Sequence, residues 1–327
     1  HFLAGTARHD FNGRYFCSSV ARSQARDAIP ATKEGKEMAS RDELYAALDM
    51  YLAGLNARDP ARVRWADGVF NTENNVRLQP GDGLWNTITG QGPYDLRFAD
   101  EQSGQVALFT CVEETNALSP AAFRLGVKDG AIAEVEVVVA RNADEGFPFL
   151  GQTFERKPVM EAIVPPAERA SREELIEIAN GYFDTLERND GTIRTRFHPS
   201  CNRVENGVQT TNNPDFPVPV AQMGCEEQFR LGNYRYDDRL RGRRYPLVDE
   251  ERGIVLAHGF IDHCGIVGEY ELTDGTKVSS PIRRPHSYYL AEAFRIRAGA
   301  IEQVEADFIT VPYHMPSPWD SRSESLT

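Results

Sequence analysis

Apolar positions recur at helical spacing in two separate stretches of the chain, at Leu44, Leu48, Tyr51, Leu52 and Leu55, and again at Leu175, Ile178, Tyr182, Phe183 and Leu186. Steps of three and four residues place each set on one face, so each stretch is expected to form an amphipathic helix. The same signature opens both: S-R-D-E-L at 40–44 and S-R-E-E-L at 171–175. In such a capping box the Ser hydroxyl takes the backbone N–H three residues on and the Glu side chain reaches back. The segments so opened run to Asp59 and Asp190. Downstream the pattern becomes strand-like, with β-branched and aromatic residues at 105–113 and 254–262. Each stretch then closes with a hairpin, 123–140 turning at Gly130 and 289–311 turning at Gly299. Helices followed by a curved antiparallel sheet predict an α+β fold.

The copies can be followed further. Asp100-Glu101-Gln102-Ser103-Gly104 matches Asp249-Glu250-Glu251-Arg252-Gly253, and Asp129-Gly130-Ala131-Ile132 matches Ala298-Gly299-Ala300-Ile301. The spacing grows along the chain, from 131 residues between Ser40 and Ser171 to 149 between Gly104 and Gly253 and 169 between Gly130 and Gly299. The second copy is therefore expected to be the first plus two insertions, at about 210–224 and 265–286. Insertions that leave flanking elements aligned belong in loops, and loops on a rigid scaffold commonly carry function. The expected organisation is a non-homologous arm at 1–37, a first domain at 38–141, a linker at 142–170 and a second domain at 171–327. Pro148, Pro158, Pro165 and Pro166 predict an extended, nonhelical linker. The Lys33-Glu34-Gly35-Lys36-Glu37 run can be encoded by purines alone, as a ribosome-binding site read in frame would be. Met38 is accordingly expected to be the true start, with 1–37 carrying no function.

A net charge of −13 disfavours nucleic acid and anionic membrane as partners. No apolar run approaches the roughly 20 residues of a membrane helix. Five cysteines without a C-x-x-C pair speak against a disulfide framework or structural zinc, and a cytoplasmic location is expected.

The order of elements in each copy, a helix, a short strand with Glu-Asn (Glu73-Asn74, Glu205-Asn206), a short helix and long strands ending in a G-x-I-x-x-V-E hairpin, resembles the nuclear transport factor 2-like, or SnoaL-like, superfamily, present twice between about Met38 and Trp319. The resemblance implies two tandem cone-shaped domains, each with helices packed on a bent sheet around a pocket. Members often dimerise through the sheet, so an intramolecular pseudo-dimer of the two domains is implied, and further oligomers are compatible with it. Known activities include ketosteroid isomerases, scytalone dehydratase, polyketide cyclases, epoxide hydrolases and cofactor-free lyases, beside noncatalytic members. Tyr182 resembles the oxyanion donor of ketosteroid isomerase. The position of that enzyme's Asp base is Asn206 here, with Glu205 beside it, so steroid isomerisation is not expected.

Outside the arm, every histidine lies in the second copy: His198, His258, His263, His286 and His314. Acid–base chemistry near neutral pH is therefore better equipped there. Strand alternation puts Leu256, His258, Phe260 and Asp262 on one face and Ala257, Gly259, Ile261 and His263 on the other. The first face, bulky and twice titratable, suits a pocket wall. The first copy has Phe109 in place of His258, and Val138 in place of Asp307. His258 is the expected general acid–base, oriented by Asp262 or Asp307, with Tyr182, Tyr288 or His286 polarising a substrate oxygen and Leu256, Phe260, Glu205 and Asn206 in the binding wall. A buried His satisfied by a carbonyl is the plainer reading of the same residue. His258 and His263 point to opposite faces, which argues against a shared metal, and no phosphate-binding loop or nucleophile elbow is present; neither metal nor cofactor is expected. The function expected is cofactor-independent lyase, dehydratase or isomerase chemistry on a small hydrophobic, aromatic or polyketide-like molecule. The alternative is noncatalytic binding or assembly on the same fold.

Overall fold

The computed structural model describes residues 38–143, 147, 149–151, 154–265 and 267–320. The arm at 1–37, and the expectations attached to it, lie outside the described residues.

The first half runs α1 (Arg41–Asn56), β1 (Trp65–Glu73), β2 (Val76–Leu78), α2 (Leu84–Thr87), β3 (Ile88–Asp100), β4 (Gln105–Glu114), β5 (Ala117–Lys128) and β6 (Ala131–Val139). After α3 (Pro158–Glu161), the second half runs α4 (Arg172–Arg188), β7 (Phe197–Glu205), β8 (Val208–Gln209), α5 (Cys225–Leu231), β9 (Arg239–Asp249), β10 (Ile254–His263), β11 (Glu269–Glu271), β12 (Lys277–Ser279), β13 (His286–Arg297) and β14 (Ala300–Val311). The two six-stranded sheets have matching orders, β2-β1-β6-β5-β4-β3 and β8-β7-β14-β13-β10-β9. The fold is α+β with one six-stranded sheet in each half, and β11 and β12 form a separate two-stranded sheet in the second.

Each sheet is mixed rather than wholly antiparallel, because β1 pairs with β6, and β7 with β14, in parallel. The first long strand of each half leaves its helix running in the same direction as the last strand. Such neighbours need a crossover, which the intervening elements supply. Ser40 and Glu43 form the full capping box; at Ser171 the hydroxyl accepts the Glu174 N–H. α1 ends before Asp59, whose carboxylate instead caps a single 3₁₀ turn. The linker is not wholly extended: Pro158 opens the short α3, where its missing N–H costs nothing. At Asn206-Gly207 both residues have positive φ, 47° and 76°, making the tight turn into β8.

Three apolar layers hold the fold together. One lies between α1 and the first sheet, around Leu48, Tyr51 and Phe123. Another lies between α4, α5 and the second sheet, around Tyr182, Phe229 and Phe294. The third lies between the sheets, where Leu96, Phe98 and Phe109 meet Leu256, Phe260 and Tyr289. Each sheet is thus covered by a helix on one face and by the other sheet on its opposite face. Two ion pairs cross between the halves in matching places. Arg41, at the start of α1, meets Asp249 at 2.6 Å, and Arg172, at the start of α4, meets Asp100 at 2.6 Å. These are the arginines of the two opening signatures and the aspartates of the matched D-E segments, each reaching the opposite copy.

Candidate functional site

The helix-facing side of the second sheet is hollow. A cavity of about 1120 Å³ opens there, walled by Tyr182 and Leu186 of α4, by Ile261 and His263 of β10, and by Tyr288, Leu290 and Glu292 of β13. Both segments expected as insertions complete it: Phe216 and Val218 to Met223 come from the first, and Tyr270, Leu272 and Ile282 from the second. Phe147 and Phe149 of the linker close another side. The walls are chiefly aromatic and aliphatic with a few convergent polar groups, as small-molecule sites are.

Strand alternation brings His263 to this wall. Its Nε2 lies 2.7 Å from Asp237 Oδ1, and both side chains are buried. Its Nδ1 has no hydrogen-bond partner among the described residues. The ring stacks on His286 at 4.8 Å and meets Tyr288 edge-on at 4.9 Å. Burial pushes the Asp237 carboxyl up, with His263 pulling it the other way.

A second polar group occupies the same cavity. Glu292 is buried beside Tyr182, and pushed up to about 8 by burial and by the charge of Glu205. Burial likewise raises the Tyr182 phenol well above its ordinary value. Arg203 beside them donates to Gln228 Oε1 at 2.6 Å and Tyr234 Oη at 2.5 Å, and pairs with Glu205 at 3.1 Å.

The first half keeps the tyrosine, as Tyr51, but not Glu292 or Arg203. Glu292 pairs with Ala257 across the sheet, and the corresponding pair is Phe123 with Leu108. Arg203 lies beside Val304, where the first half places Asn71 beside Val135. Phe123 packs against Tyr51, the counterpart of Tyr182, at 6.1 Å.

The expected pocket face is the other one. Leu256, His258 and Phe260 point into the layer between the sheets and do not line the cavity. Both faces of β10 are buried, so bulk alone did not distinguish them. His258 Nδ1 lies 3.5 Å from Glu136 of the first half, which Arg124 and Arg244 also pair with and to which Tyr289 donates. Burial drives the His258 imidazole down to about 3, against the pull of Glu136. Asp307 does not orient it, because His258 pairs with Ala291 and Ala291 with Asp307. A whole strand separates them, about 10 Å. Asp307 faces Glu305 and Lys157, and burial raises its carboxyl well above the ordinary range. Asp262 does not orient His258 either; Arg241 at 2.8 Å, Arg239 at 2.9 Å and Ser287 at 2.5 Å engage it. Burial opposes its ionisation, but those three bonds hold it below the usual carboxylate value.

Of the remaining expected residues, Tyr182, Tyr288 and Glu205 line the cavity. His286 stands behind His263, its Nδ1 2.9 Å from the Arg284 carbonyl. Asn206 is not in the wall; its side-chain oxygen accepts the Phe308 N–H. Sequence reasoning missed Asp237, Glu292 and Arg203. Comparing the copies on the opposite strand face would have found Glu292, as a Phe-to-Glu difference. Among the described residues no group of three or more His, Cys, Asp or Glu side chains could hold a metal ion. No helix among them is long and apolar enough to cross a membrane.

No curated protein matches the chain. Among similar solved structures, AusH from Aspergillus nidulans is 14% identical over 42% of this chain and 86% of its own, with a TM-score of 0.28. An NTF2-like protein of unknown function from Cytophaga hutchinsonii is 10% identical over 29% of this chain and 88% of its own, with a TM-score of 0.22. One from Burkholderia xenovorans is 9% identical over 32% and 87%, with a TM-score of 0.26. The family model that matches is described as a domain of unknown function, DUF8021, and it covers residues 168–308, the stretch that contains β7 to β13 and nearly all of the cavity wall.

Proposed function

We propose that the second half is a cofactor-independent acid–base enzyme, a lyase, dehydratase or isomerase, whose small hydrophobic substrate lies in the aromatic cavity and exchanges a proton with His263. The observation that carries this reading is the state of His263: a buried imidazole on the cavity wall with a carboxylate 2.7 Å from Nε2 and, among the described residues, no hydrogen-bond partner at Nδ1. When Nδ1 takes a proton, Asp237 stabilises the imidazolium and keeps the ring oriented, the arrangement general acid–base catalysis needs. Tyr288, edge-on to the His263 ring, supplies a hydroxyl to polarise a substrate oxygen, His286 supports that ring from behind, and Tyr182, expected in the same role, lines the wall beside Glu292 instead. The roles expected of His258 and of Asp262 or Asp307 pass to His263 and Asp237.

In this reading residues 38–141 and 171–327 are two NTF2-like modules joined by 142–170, and the contact between their sheets is the single-chain form of the dimer that the resemblance implies. Matching strand orders and the reciprocal arginine–aspartate pairs support it. The first module, its interior filled by Phe123 and Tyr51, is scaffold.

The test is a turnover screen of the purified full chain against aromatic and polyketide-like compounds, followed by His263→Ala on the first substrate found. Loss of a positioned acid–base group lowers kcat by about 10²- to 10⁴-fold. Full turnover by His263→Ala would sink the assignment. Compounds that bind in the cavity but are never converted would make this a binding protein.

A further inference from the structure

Two buried groups of polar side chains stand apart on the wall of the cavity. Along β13 the cavity-facing positions are Tyr288, Leu290 and Glu292. Four residues of strand separate the first from the last, about 13 Å. Across the sheet His263 is in register with His286, whereas Glu292 is in register with Ala257, six residues from His263. That is about 20 Å along the strand. On the sheet wall between the two places stand Ile261 in register with Tyr288 and Leu290 in register with Phe308, apolar but for the Tyr288 hydroxyl. One pole is His263 with Asp237; the other is Glu292 with Tyr182, backed by Arg203.

The far pole is not required by the scaffold, because the first half builds the same sheet and helix with Phe123 in the place of Glu292. A buried carboxyl costs free energy that an apolar residue does not, so its presence on a cavity wall points to a ligand. Arg203 is already occupied by Glu205, Gln228 and Tyr234, which leaves no unpaired cation to receive a ligand carboxylate.

We propose that the cavity takes an elongated apolar molecule with a neutral oxygen function, hydroxyl or carbonyl, at each end, one end at His263 and Asp237 and the other held by Glu292 and Tyr182. This rests on the reading of His263 as the reacting end and adds the length and end-group chemistry of the substrate. Glu292 keeps its proton up to about pH 8, so at neutral pH it donates to such an oxygen, where a carboxylate would only accept.

A ladder of rigid phenols tests the length directly on the full chain, by titration calorimetry: hydroquinone, 4,4′-dihydroxybiphenyl and 4,4″-dihydroxy-p-terphenyl, each beside its monohydroxy counterpart. A hydrogen bond made at both poles should give one of the longer diols about a tenfold advantage over its mono-ol, while hydroquinone gains nothing over phenol. In Glu292→Leu the advantage should fall below about threefold. Tyr182→Phe, which deletes one hydroxyl, should weaken it in the same sense and serves if the Leu variant does not fold. Equal binding of diol and mono-ol in the native chain overturns the proposal, as does an advantage that survives both substitutions. The outcome is separable from the acid–base reading. A failed ladder beside a His263→Ala variant that loses turnover removes only the two-ended substrate. A successful ladder beside an unaffected His263→Ala removes only the chemistry.

Discussion

Replacing Glu292 by Gln should change how stability depends on pH, because the native state holds a proton there that the unfolded chain gives up. The carboxyl titrates near 4.5 when unfolded and at about 8 in the cavity. Between those values the native protein binds more protons than the unfolded chain, so its stability falls as pH rises. This contribution is fully present below pH 4.5 and lost as pH passes through about 8. At about 1.4 kcal/mol per pH, a window of roughly 3.5 corresponds to about 5 kcal/mol. Gln keeps the shape and a hydrogen-bond donor but carries no titrating proton. The variant should match the native chain near pH 4.5 and exceed it increasingly above pH 6, by about 2–3 kcal/mol at pH 6.5. Urea unfolding of both proteins from pH 4.5 to 9, with midpoints and slopes fitted together, gives the comparison. Parallel stability curves for the two proteins would refute the reasoning, since they would mean that Glu292 ionises in the native cavity as it does in water.

Two further predictions concern the layer between the sheets. His258 is held down to about 3 against 6.5 when unfolded, so the native chain refuses a proton that the unfolded chain accepts, and stability drops as pH falls from 6.5 toward 3. His258→Phe, which puts the first half's Phe109 residue at the matching place, should remove that drop, gaining about 1.4 kcal/mol over the native chain for each pH below 6.5 in urea unfolding, with turnover unchanged. Arg41→Ala leaves the fully buried Asp249 carboxylate without its 2.6 Å partner and should cost about 3 kcal/mol in guanidinium unfolding at neutral pH, where a loss below about 0.5 kcal/mol would show the pair to be idle.

The fold was largely legible because its signals are local. The Ser40 and Ser171 caps, the glycine turns at Gly130 and Gly299 and the growing spacing between copies each need only a few neighbouring residues to be read. The drift in spacing also located the two segments that wall the cavity. The site was less legible because β10 is buried on both faces. Alternation separates His258 from His263, but only the packing of the second sheet against the first decides that His258 faces Glu136 and His263 faces the cavity. Asp237 lies in a loop before β9 and comes to His263 through tertiary structure alone, so no spacing in the chain announces it. Lys157, which faces Glu305 at 3.3 Å, likewise comes from a linker that resembles neither copy.

The crossed ion pairs of Arg41 with Asp249 and Arg172 with Asp100 make each half depend on the other for a charge partner. Each half supplies the arginine for one bridge and the aspartate for the other, so reversing the charge of a residue in one half has to be answered in the opposite half, 72 or 208 residues away along the chain. The halves differ where each faces its own helix, with Phe123 against Glu292 and Asn71 against Arg203, and also between the sheets, with Phe109 against His258 and Val138 against Asp307. The crossed pairs tie the halves at matching places, while the aromatic hollow is built by the second half and the linker.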